Sequence, residues 1–229
     1  MTNEDFSNAF DTSISAYVHK TEFGQQSSIA DITFDEYEKS LFLTKAQEEV
    51  VKALYQEPFE KSEANRRQLD TLVKSMTATV NSEKYNEFYH TKVNANPDTW
   101  FIIYEQAVTP VSNIKCESNV TMDVYPVTHD EYQRIVKNPF RGPTRTRVLR
   151  LDTGKLELEL VSKLPLGEYK MRYLSKPSPI ILIDLSDTDV SIEGETKITE
   201  CKLSSSTHQL ILDRAIQLAI ASRASSNKA

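Results

Sequence analysis

Histidine and cysteine are the residue types found most often in metal sites and nucleophilic sites, and this chain of 229 residues has four histidines and two cysteines. The histidines are His19, His90, His129 and His208, and the cysteines are Cys116 and Cys201. The cysteines are far apart and have no C-x-x-C partner and no histidine at ligand spacing, so the sequence predicts neither a zinc site nor a disulfide framework. A histidine that stands alone is more often structural than catalytic. We therefore predict no metal, and two reduced cysteines fit a cytoplasmic protein.

Motifs that bind phosphate or build a hydrolase site are missing from the sequence. It contains none of the patterns G-x-x-x-x-G-K-[ST], G-x-G-x-x-G, G-x-S-x-G and H-E-x-x-H, and its five glycines are too few for glycine-rich loops. The polar run His129, Asp130 and Glu131 falls in the first turn of a predicted helix, where acidic side chains favour the helix dipole. The carboxylates of residues 187–193 are interpreted as a solvated loop. The sequence predicts neither an enzyme nor a cofactor.

Charge limits the partners of this chain. A formal net charge of −6 argues against a surface that grips nucleic acid, because phosphate neutralisation requires clustered Lys and Arg. Arg141, Arg145, Arg147 and Arg150 are a local exception, since they fall within ten residues. This cluster is a candidate interface for an acidic partner, and solvated charge around a strand is the alternative interpretation.

Neither export nor a membrane is indicated. The first twenty residues include Glu4, Asp5 and Asp11 and have no apolar run, and no later segment is long enough to span a bilayer. We expect an unexported protein with no membrane partner.

The elements that must position these side chains begin with helices. Phe6, Phe10, Ile14 and Tyr17 follow one another at spacings of four, four and three, which predicts a short amphipathic helix over residues 6–18. Residues 33–36 match a capping box, in which a hydroxyl and a glutamate satisfy each other's backbone donors. This box predicts a long helix that runs to about residue 56.

The apolar surface of this long helix is wider than one stripe. Phe34, Tyr37 and Leu41 line a side next to the main apolar stripe, as expected for a helix that contacts more than one neighbour. A second helix is predicted over residues 60–80, because Leu69, Leu72, Val73, Met76 and Val80 follow steps of three, one, three and four. The short connection around Pro58 favours a helical hairpin.

From about residue 84 the sequence becomes rich in β-branched and aromatic residues bounded by prolines. Buried strands are predicted at residues 100–104, 120–125 and 180–185, with a hairpin formed by residues 148–151 and 156–161 around Gly154, which we expect to adopt a positive φ. A short helix over residues 128–136 is predicted to be capped by Thr128 and Glu131.

Charged residues alternate with apolar ones in two of the predicted strands. Glu157 and Glu159 alternate with leucines, and Lys170 and Arg172 alternate with aromatic residues and methionine. The opposite charges predict pairs across the sheet between these strands, each contributing about 0.2 to 1 kcal/mol.

The predicted class is α+β, with an N-terminal helical hairpin, a mostly antiparallel β-sheet in the C-terminal half and a closing C-terminal helix. Ser206 or Thr207 is predicted to cap this last helix, which runs to about Arg223. The predicted division is a helical region over residues 1–83, a β-rich region over residues 84–205 with a short helix near residues 128–137, and a helix and tail over residues 206–229, all in one integrated domain.

Three segments resemble virion structural proteins of crAss-like bacteriophages. Residues 34–51 (FDEYEKSLFLTKAQEEVV) carry the most specific likeness, and residues 60–73 (EKSEANRRQLDTLV) and 125–143 look like the same family. Together with the closing helix, the resemblance spans most of the chain.

The resemblance implies a ring or adaptor subunit of the head-to-tail connector of a short-tailed phage, which joins the portal to the tail and encloses the channel for genome exit. Its implied partners are further copies of itself in a homo-oligomeric ring, the portal protein and other ring proteins, and DNA passes without sequence-specific binding. The implied location is the virion, assembled in the bacterial cytoplasm. As candidate residues for subunit contacts we select Phe34, Tyr37, Leu41, Arg141, Arg145 and Arg147.

Two alternatives remain open from the sequence. The first is another structural role in the phage tail, such as a tail-tube, stopper or tail-hub protein, and the second is a host-directed enzyme of unfamiliar type. Copurification with portal-proximal or with tail-tip components would separate the structural roles, whereas a polar pocket would favour the enzyme.

Overall fold

The computed structural model describes residues 1–22, 33–56, 63–110, 120–154 and 156–226. The chain divides into two compact units, a helical unit formed by Met1–Leu72 and Pro177–Ala229 and a sheet unit formed by Val73–Lys176. Helices come first, a mostly antiparallel sheet follows and a helix closes the chain, which confirms the predicted α+β class. The division of the chain at about residues 83 and 205 stays a prediction.

The α-helices of the described residues are α1 (Asn3–Glu22), α2 (Glu36–Gln56), α3 (Glu63–Leu69), α4 (His129–Val136) and α5 (Ser205–Ser226), and all except α4 belong to the helical unit. The predicted amphipathic helix is confirmed by α1, whose Phe6, Phe10 and Ile14 are buried, but Tyr17 of the predicted stripe is exposed. Leu43 of α2 and Ile211 of α5 are buried as well, and the three helices contact one another. Apolar faces of three helices thus form this unit's core.

The N-terminus of α2 is capped two residues later than predicted. Asp35 Oδ1 accepts a hydrogen bond from the Glu38 amide at 2.7 Å, and Glu38 Oε2 accepts one from the Asp35 amide at 3.3 Å. These reciprocal bonds form a capping box of the type D-x-x-E. The predicted box of Thr33 and Glu36 is wrong because the aspartate lies at the position where the helical hydrogen bonds begin, with Lys39 N donating to Asp35 O.

Replacing Asp35 by alanine is expected to lower the free energy of unfolding by about 1 kcal/mol, because an amide at the start of α2 loses its acceptor. The matched control is Thr33→Ala, which we expect to change stability by less than about 0.5 kcal/mol. Urea unfolding followed by circular dichroism measures both. A larger loss of stability for Thr33→Ala than for Asp35→Ala would contradict this cap and support the capping box predicted from the sequence.

A polar stripe on α2 is buried against an extended segment of the same unit. Ser40 Oγ accepts a hydrogen bond from the Leu182 amide at 3.0 Å, Thr44 Oγ1 accepts one from the Ile180 amide at 3.1 Å, and Gln47 Nε2 donates to Ser178 O at 3.1 Å. Residues 178–182 therefore have side-chain partners for their backbone groups. The prediction of a sheet strand over residues 180–185 is wrong, since this segment makes one isolated bridge, between Ile181 and Thr199.

The described residues of the sheet unit form eight strands in the order β1-β8-β4-β5-β6-β7-β3-β2. They are β1 (Val73–Thr79), β2 (Glu83–Tyr85), β3 (Phe88–Asn94), β4 (Thr99–Val108), β5 (Thr121–Pro126), β6 (Arg147–Asp152), β7 (Glu157–Ser162) and β8 (Glu168–Ser175). All neighbouring strands are antiparallel except β5 and β6, which are parallel and are connected through α4. Side chains of α4 pack over β6 and β7, where Tyr132 and Ile135 contact the buried Leu149 and Val161.

The predicted helix over residues 60–80 is wrong beyond Leu69, since β1 occupies residues 73–79. The four-residue step from Met76 to Val80 places both side chains on one face of a helix and also on one face of a strand, because four is a multiple of two. Pairing with β8 and the exposure of Val73 show that the strand period applies here. The second helix of the predicted hairpin is thus the seven-residue α3.

The hairpin of β6 and β7 is confirmed, and their register pairs Leu149 with Val161. Among the described residues of its turn, Leu156 is left-handed, with φ of 67°, and the predicted positive φ of Gly154 is wrong. Strand β4 is confirmed as a strand but not as a buried one, because Ile103 and Tyr104 are both exposed beside a register shift in its pairing with β8. A bulge breaks the alternation of faces and leaves neighbouring side chains on one side.

The predicted charge pairs between residues 157–159 and 170–172 are wrong because β7 and β8 are not neighbours in the sheet. Glu157 instead pairs with Lys92, at 3.1 Å, and Glu159 with His90, at 2.7 Å. Lys170 pairs with Glu168 on its own strand at 3.0 Å.

The helix α4 begins where predicted, but Thr128 at its N-cap makes no side-chain capping hydrogen bond.

Candidate subunit-interface surfaces

A buried polar set in the sheet unit is the first place where chemistry is conceivable. Glu105 Oε1 accepts a hydrogen bond from Arg150 Nη1, and its Oε2 accepts one from the Tyr169 hydroxyl at 2.8 Å. Burial raises the pKa of Glu105, and the Arg150 guanidinium opposes that rise. Since these polar atoms are directed at one another, the set acts as a structural ion pair between strands. Arg150 therefore does not belong to a surface cluster with the other arginines.

The two histidines of the sheet unit, His90 and His129, each make a contact that explains a structural role. His90 Nδ1 lies 2.7 Å from Glu159 Oε1, and His129 Nε2 lies 2.8 Å from the backbone oxygen of Asp152. In the helical unit, His208 Nε2 lies 3.1 Å from Leu203 O, and burial lowers the pKa of its ring. Among the described residues, no three His, Cys, Asp or Glu side chains form a group that can hold a metal ion. Cys116 lies outside the described residues.

Three predicted interface residues lie in α2 or just before it, and they differ in the fraction of their surface that is exposed. Phe34 is 7% exposed, and its ring makes edge-on contacts with Phe10 at 5.7 Å and Phe42 at 5.6 Å. Tyr37 is half-buried and packs on the apolar cluster that contains Ile181. Leu41 is 40% exposed. Of the three, Leu41 has the most surface for a partner to cover.

The predicted arginines lie in and near one loop of the sheet unit. Arg141 and Arg145 are exposed, whereas Arg147 is half-buried and stacks its guanidinium over the Tyr125 ring at 5.0 Å. Arg147 Nη1 also donates a hydrogen bond to the backbone oxygen of Phe140. The structure thus brings Arg141 and Arg147 to one place, where both line an open depression of about 280 Å³.

Phe140, which the sequence reasoning passed over, is the most exposed large apolar side chain in the described residues, at 85%. Asn138 holds the loop that presents it, because its Oδ1 accepts hydrogen bonds from the amides of Phe140 and Arg141 at 2.8 and 3.1 Å. The Gly142 amide donates to Asn138 O at 2.7 Å. An Asn-Pro-Phe-Arg-Gly-Pro run contains the turn signals for such a loop, and a phenylalanine in its middle was the available sign of an exposed contact residue.

Gly142 is required for the conformation of this loop. A Cβ atom added at Gly142 would lie 2.7 Å from the backbone oxygen of Asn138 and 2.9 Å from that of Val136. Backbone oxygens at the end of α4 cannot move away as a flexible side chain can. This loop conformation, with Phe140 at its tip, therefore requires glycine at position 142.

A second open depression, of about 550 Å³, lies between α2 and α5 in the helical unit. Val50, Ala53, Leu54 and Leu210 supply its apolar side chains, and Leu210 is 47% exposed. Glu49, Asp213, Arg214 and Gln217 line it with polar groups. Arg214 Nε is paired with Glu49 Oε2 at 2.6 Å, while the Asp213 carboxylate accepts a hydrogen bond from Gln209 at 2.8 Å. We call this depression the α2–α5 groove.

No helix in the described part of the chain is long and apolar enough to cross a membrane.

The whole chain, residues 1–229, matches the family model of phage tail ring protein 3/4. Ring protein 3 of Bacteroides phage crAss001 is 39% identical over 97% of this chain and 96% of its own length. Ring protein 4/5 of the same phage is 29% identical over 96% of this chain and 92% of its own length. The range matched by the family model covers the residues of both units.

Proposed function

Because this chain belongs to the phage tail ring protein 3/4 family, we propose that it is a non-enzymatic structural subunit of a ring in a crAss-like bacteriophage particle. The observation that carries the proposal is the match of the entire chain to this family, together with the near-complete coverage of a relative named Ring protein 3. The three described histidines and the Glu105–Arg150 pair agree with it, since each of them has a structural partner.

The ring belongs to the head-to-tail connector, between the portal and the tail of a short-tailed phage, and it lines the channel through which the genome leaves. Its partners are further copies of the chain, the portal protein and other ring proteins of the virion, which assembles in the bacterial cytoplasm. A net charge of −6 supports this role, because a wall of negative charge lets DNA pass without binding it. DNA is therefore a passing molecule in this proposal and is not bound by sequence.

Subunit contacts in a closed ring are head-to-tail, so each copy needs two different surfaces that fit each other. Exposed residues among the six selected from the sequence, Leu41, Arg141 and Arg145, belong to such surfaces in our proposal. Tyr37 and Arg147 are half-buried and Phe34 is buried, so these three offer a partner less surface. The exposed Phe140 next to Arg141 favours contact with a protein over free solvation.

The purified full-length chain is expected to form closed rings, alone or on the portal of the same phage. Head-to-tail contacts close into a ring when the rotation between neighbours divides a full turn. Electron microscopy of the chain with and without portal, together with its mass in solution, measures this. Proteomics of purified virions supplies the control, since a ring subunit must be present in multiple copies.

A monomer that ignores the portal and is absent from virions would contradict the proposal. Rings that copurify with tail-tip components and not with the portal would retain the structural role and move it to another part of the tail.

A further inference from the structure

Phe140 is exposed in a way that needs a physical reason. A phenylalanine with 85% of its surface in water loses the free energy that burial of an aromatic ring supplies. Aromatic and arginine side chains are enriched at the centres of protein interfaces, and Arg141 stands directly beside this ring. An exposed aromatic residue next to an arginine is the composition expected of an interface anchor.

The loop that carries Phe140 is ordered before any partner binds. The amides of Phe140 and Arg141 both donate to Asn138 Oδ1, and Arg147 donates to the backbone oxygen of Phe140. Gly142 closes the loop with a hydrogen bond to Asn138 O. Preorganisation reduces the entropy lost on binding, so a loop built this way retains more of its contact energy.

The α2–α5 groove has the features of a receptor for such a side chain. Its apolar residues include Leu54 and the exposed Leu210, and its volume is about 550 Å³. Asp213 lines the groove, and its carboxylate makes no ion pair among the described residues, whereas Glu49 is neutralised by Arg214. An apolar floor with an available carboxylate is complementary to a phenylalanine with a neighbouring arginine.

We propose that Phe140 of one copy inserts into the α2–α5 groove of a second copy, with the Arg141 guanidinium placed against the Asp213 carboxylate. Charge complementarity argues for a second copy as the occupant, because the cation and the carboxylate that match are both on this chain. The anchor and the groove are different surfaces of the chain, so this contact is head-to-tail and can propagate around a ring. The inference rests on the proposed ring function and names its subunit contact.

Photo-crosslinking tests where the Phe140 ring is seated. Benzoylphenylalanine is incorporated at position 140 of the full-length chain, which is irradiated alone and together with the portal of the same phage. Mass spectrometry of the crosslinked peptides is expected to find residues 49–54 or 210–217 of a second copy. The matched control carries the same probe at Tyr85, an exposed aromatic residue on β2, and is expected to give no crosslink to the groove.

Charge reversal tests the polar half of the contact. R141D and D213R are each expected to weaken self-association about 10-fold or more, because a like-charge pair replaces an attractive one. The double variant R141D/D213R is expected to recover most of the loss, since every contact regains opposite charges. F140A is expected to weaken self-association about 30-fold, as expected when a central anchor is removed.

The outcomes separate this inference from the ring proposal. Rings of normal stability in F140A, crosslinks only to another surface or another protein, no crosslink at all, or no recovery in the double variant would each overturn the contact while leaving the ring intact. Failure of the unmodified chain to form rings with or without portal would instead overturn the proposed function.

Discussion

Replacing Arg150 by methionine is expected to lower the free energy of unfolding by about 3–5 kcal/mol near pH 7, because Glu105 then remains buried without its cation. Arg150 and Glu105 are each 8% exposed, and the carboxylate has the Tyr169 hydroxyl as its remaining described partner. Water cannot easily replace the lost guanidinium at this depth in the sheet unit. Urea unfolding of the variant and the parent chain measures the difference.

The loss is expected to depend on pH in a direction set by Glu105. Its pKa is already raised by burial, and removal of Arg150 raises it further. A carboxyl group whose pKa is higher in the folded chain than in the unfolded chain binds a proton more tightly when the chain is folded. Its contribution to the free energy of unfolding is therefore complete below the pKa that the group has in the unfolded chain. This contribution declines as the pH rises through the pKa that the group has in the folded chain. The destabilisation by Arg150→Met should therefore be smaller at about pH 4.5 than near pH 7.

Arg134→Met is the matched control for this prediction. Arg134 is an exposed arginine of α4 in the same unit, paired with Glu131 at 2.6 Å. Its replacement is expected to cost less than about 1 kcal/mol, with little change between the two pH values. Equal losses for the two arginine variants, or a loss by Arg150→Met that does not change with pH, would contradict the structural role given to the Glu105 ion pair.

Replacing Phe34 by alanine is expected to lower the free energy of unfolding by about 3 kcal/mol, because a cavity replaces a ring packed against Phe10 and Phe42. In a chain of this size, that loss corresponds to a decrease in Tm of roughly 6–12 °C. Arg223 also stacks over the Phe34 ring at 5.0 Å and loses this contact. Differential scanning calorimetry and urea unfolding measure the effect.

Leu41→Ala is the companion variant, and it separates a core residue from an interface residue. Because Leu41 is 40% exposed, its truncation is expected to cost less than about 1 kcal/mol of stability in the monomer. If Leu41 lies at a subunit contact, the same variant weakens ring formation. A loss of stability for Leu41→Ala as large as that for Phe34→Ala would show that exposure does not distinguish the two positions.

Local patterns predicted several elements of this fold correctly. The spacing of Phe6, Phe10 and Ile14 predicted α1, and the alternation of leucine and glutamate predicted β7 in a hairpin with β6. In each case the apolar pattern extends over enough residues to distinguish the helix period of 3.6 residues from the strand period of 2 residues. Residues 73–80 were assigned to a helix because the four-residue step from Met76 to Val80 satisfies both periods.

Interactions between segments distant in sequence could not be predicted in the same way. Ser40, Thr44 and Gln47 resemble the solvent-exposed side of an amphipathic helix, yet they are buried because residues 178–182 supply their hydrogen-bond partners. Glu157 and Lys170 have opposite charges at matching positions, yet the strand order places their strands apart. A residue's partner depends on the topology of the whole sheet, which local alternation does not encode.

For the candidate site, the sequence by itself determined the residue types and the family, because composition, arginine spacing and family likeness do not depend on tertiary contacts. Tertiary structure decided which of those residues are available to a partner. Arg150 became part of a buried ion pair, Phe34 entered the core, and Phe140 was left exposed on a preorganised loop. The physical reason is that burial and pairing depend on which residues are neighbours in space. Glu105 is 45 residues away from Arg150 in the sequence, yet the two side chains are in contact.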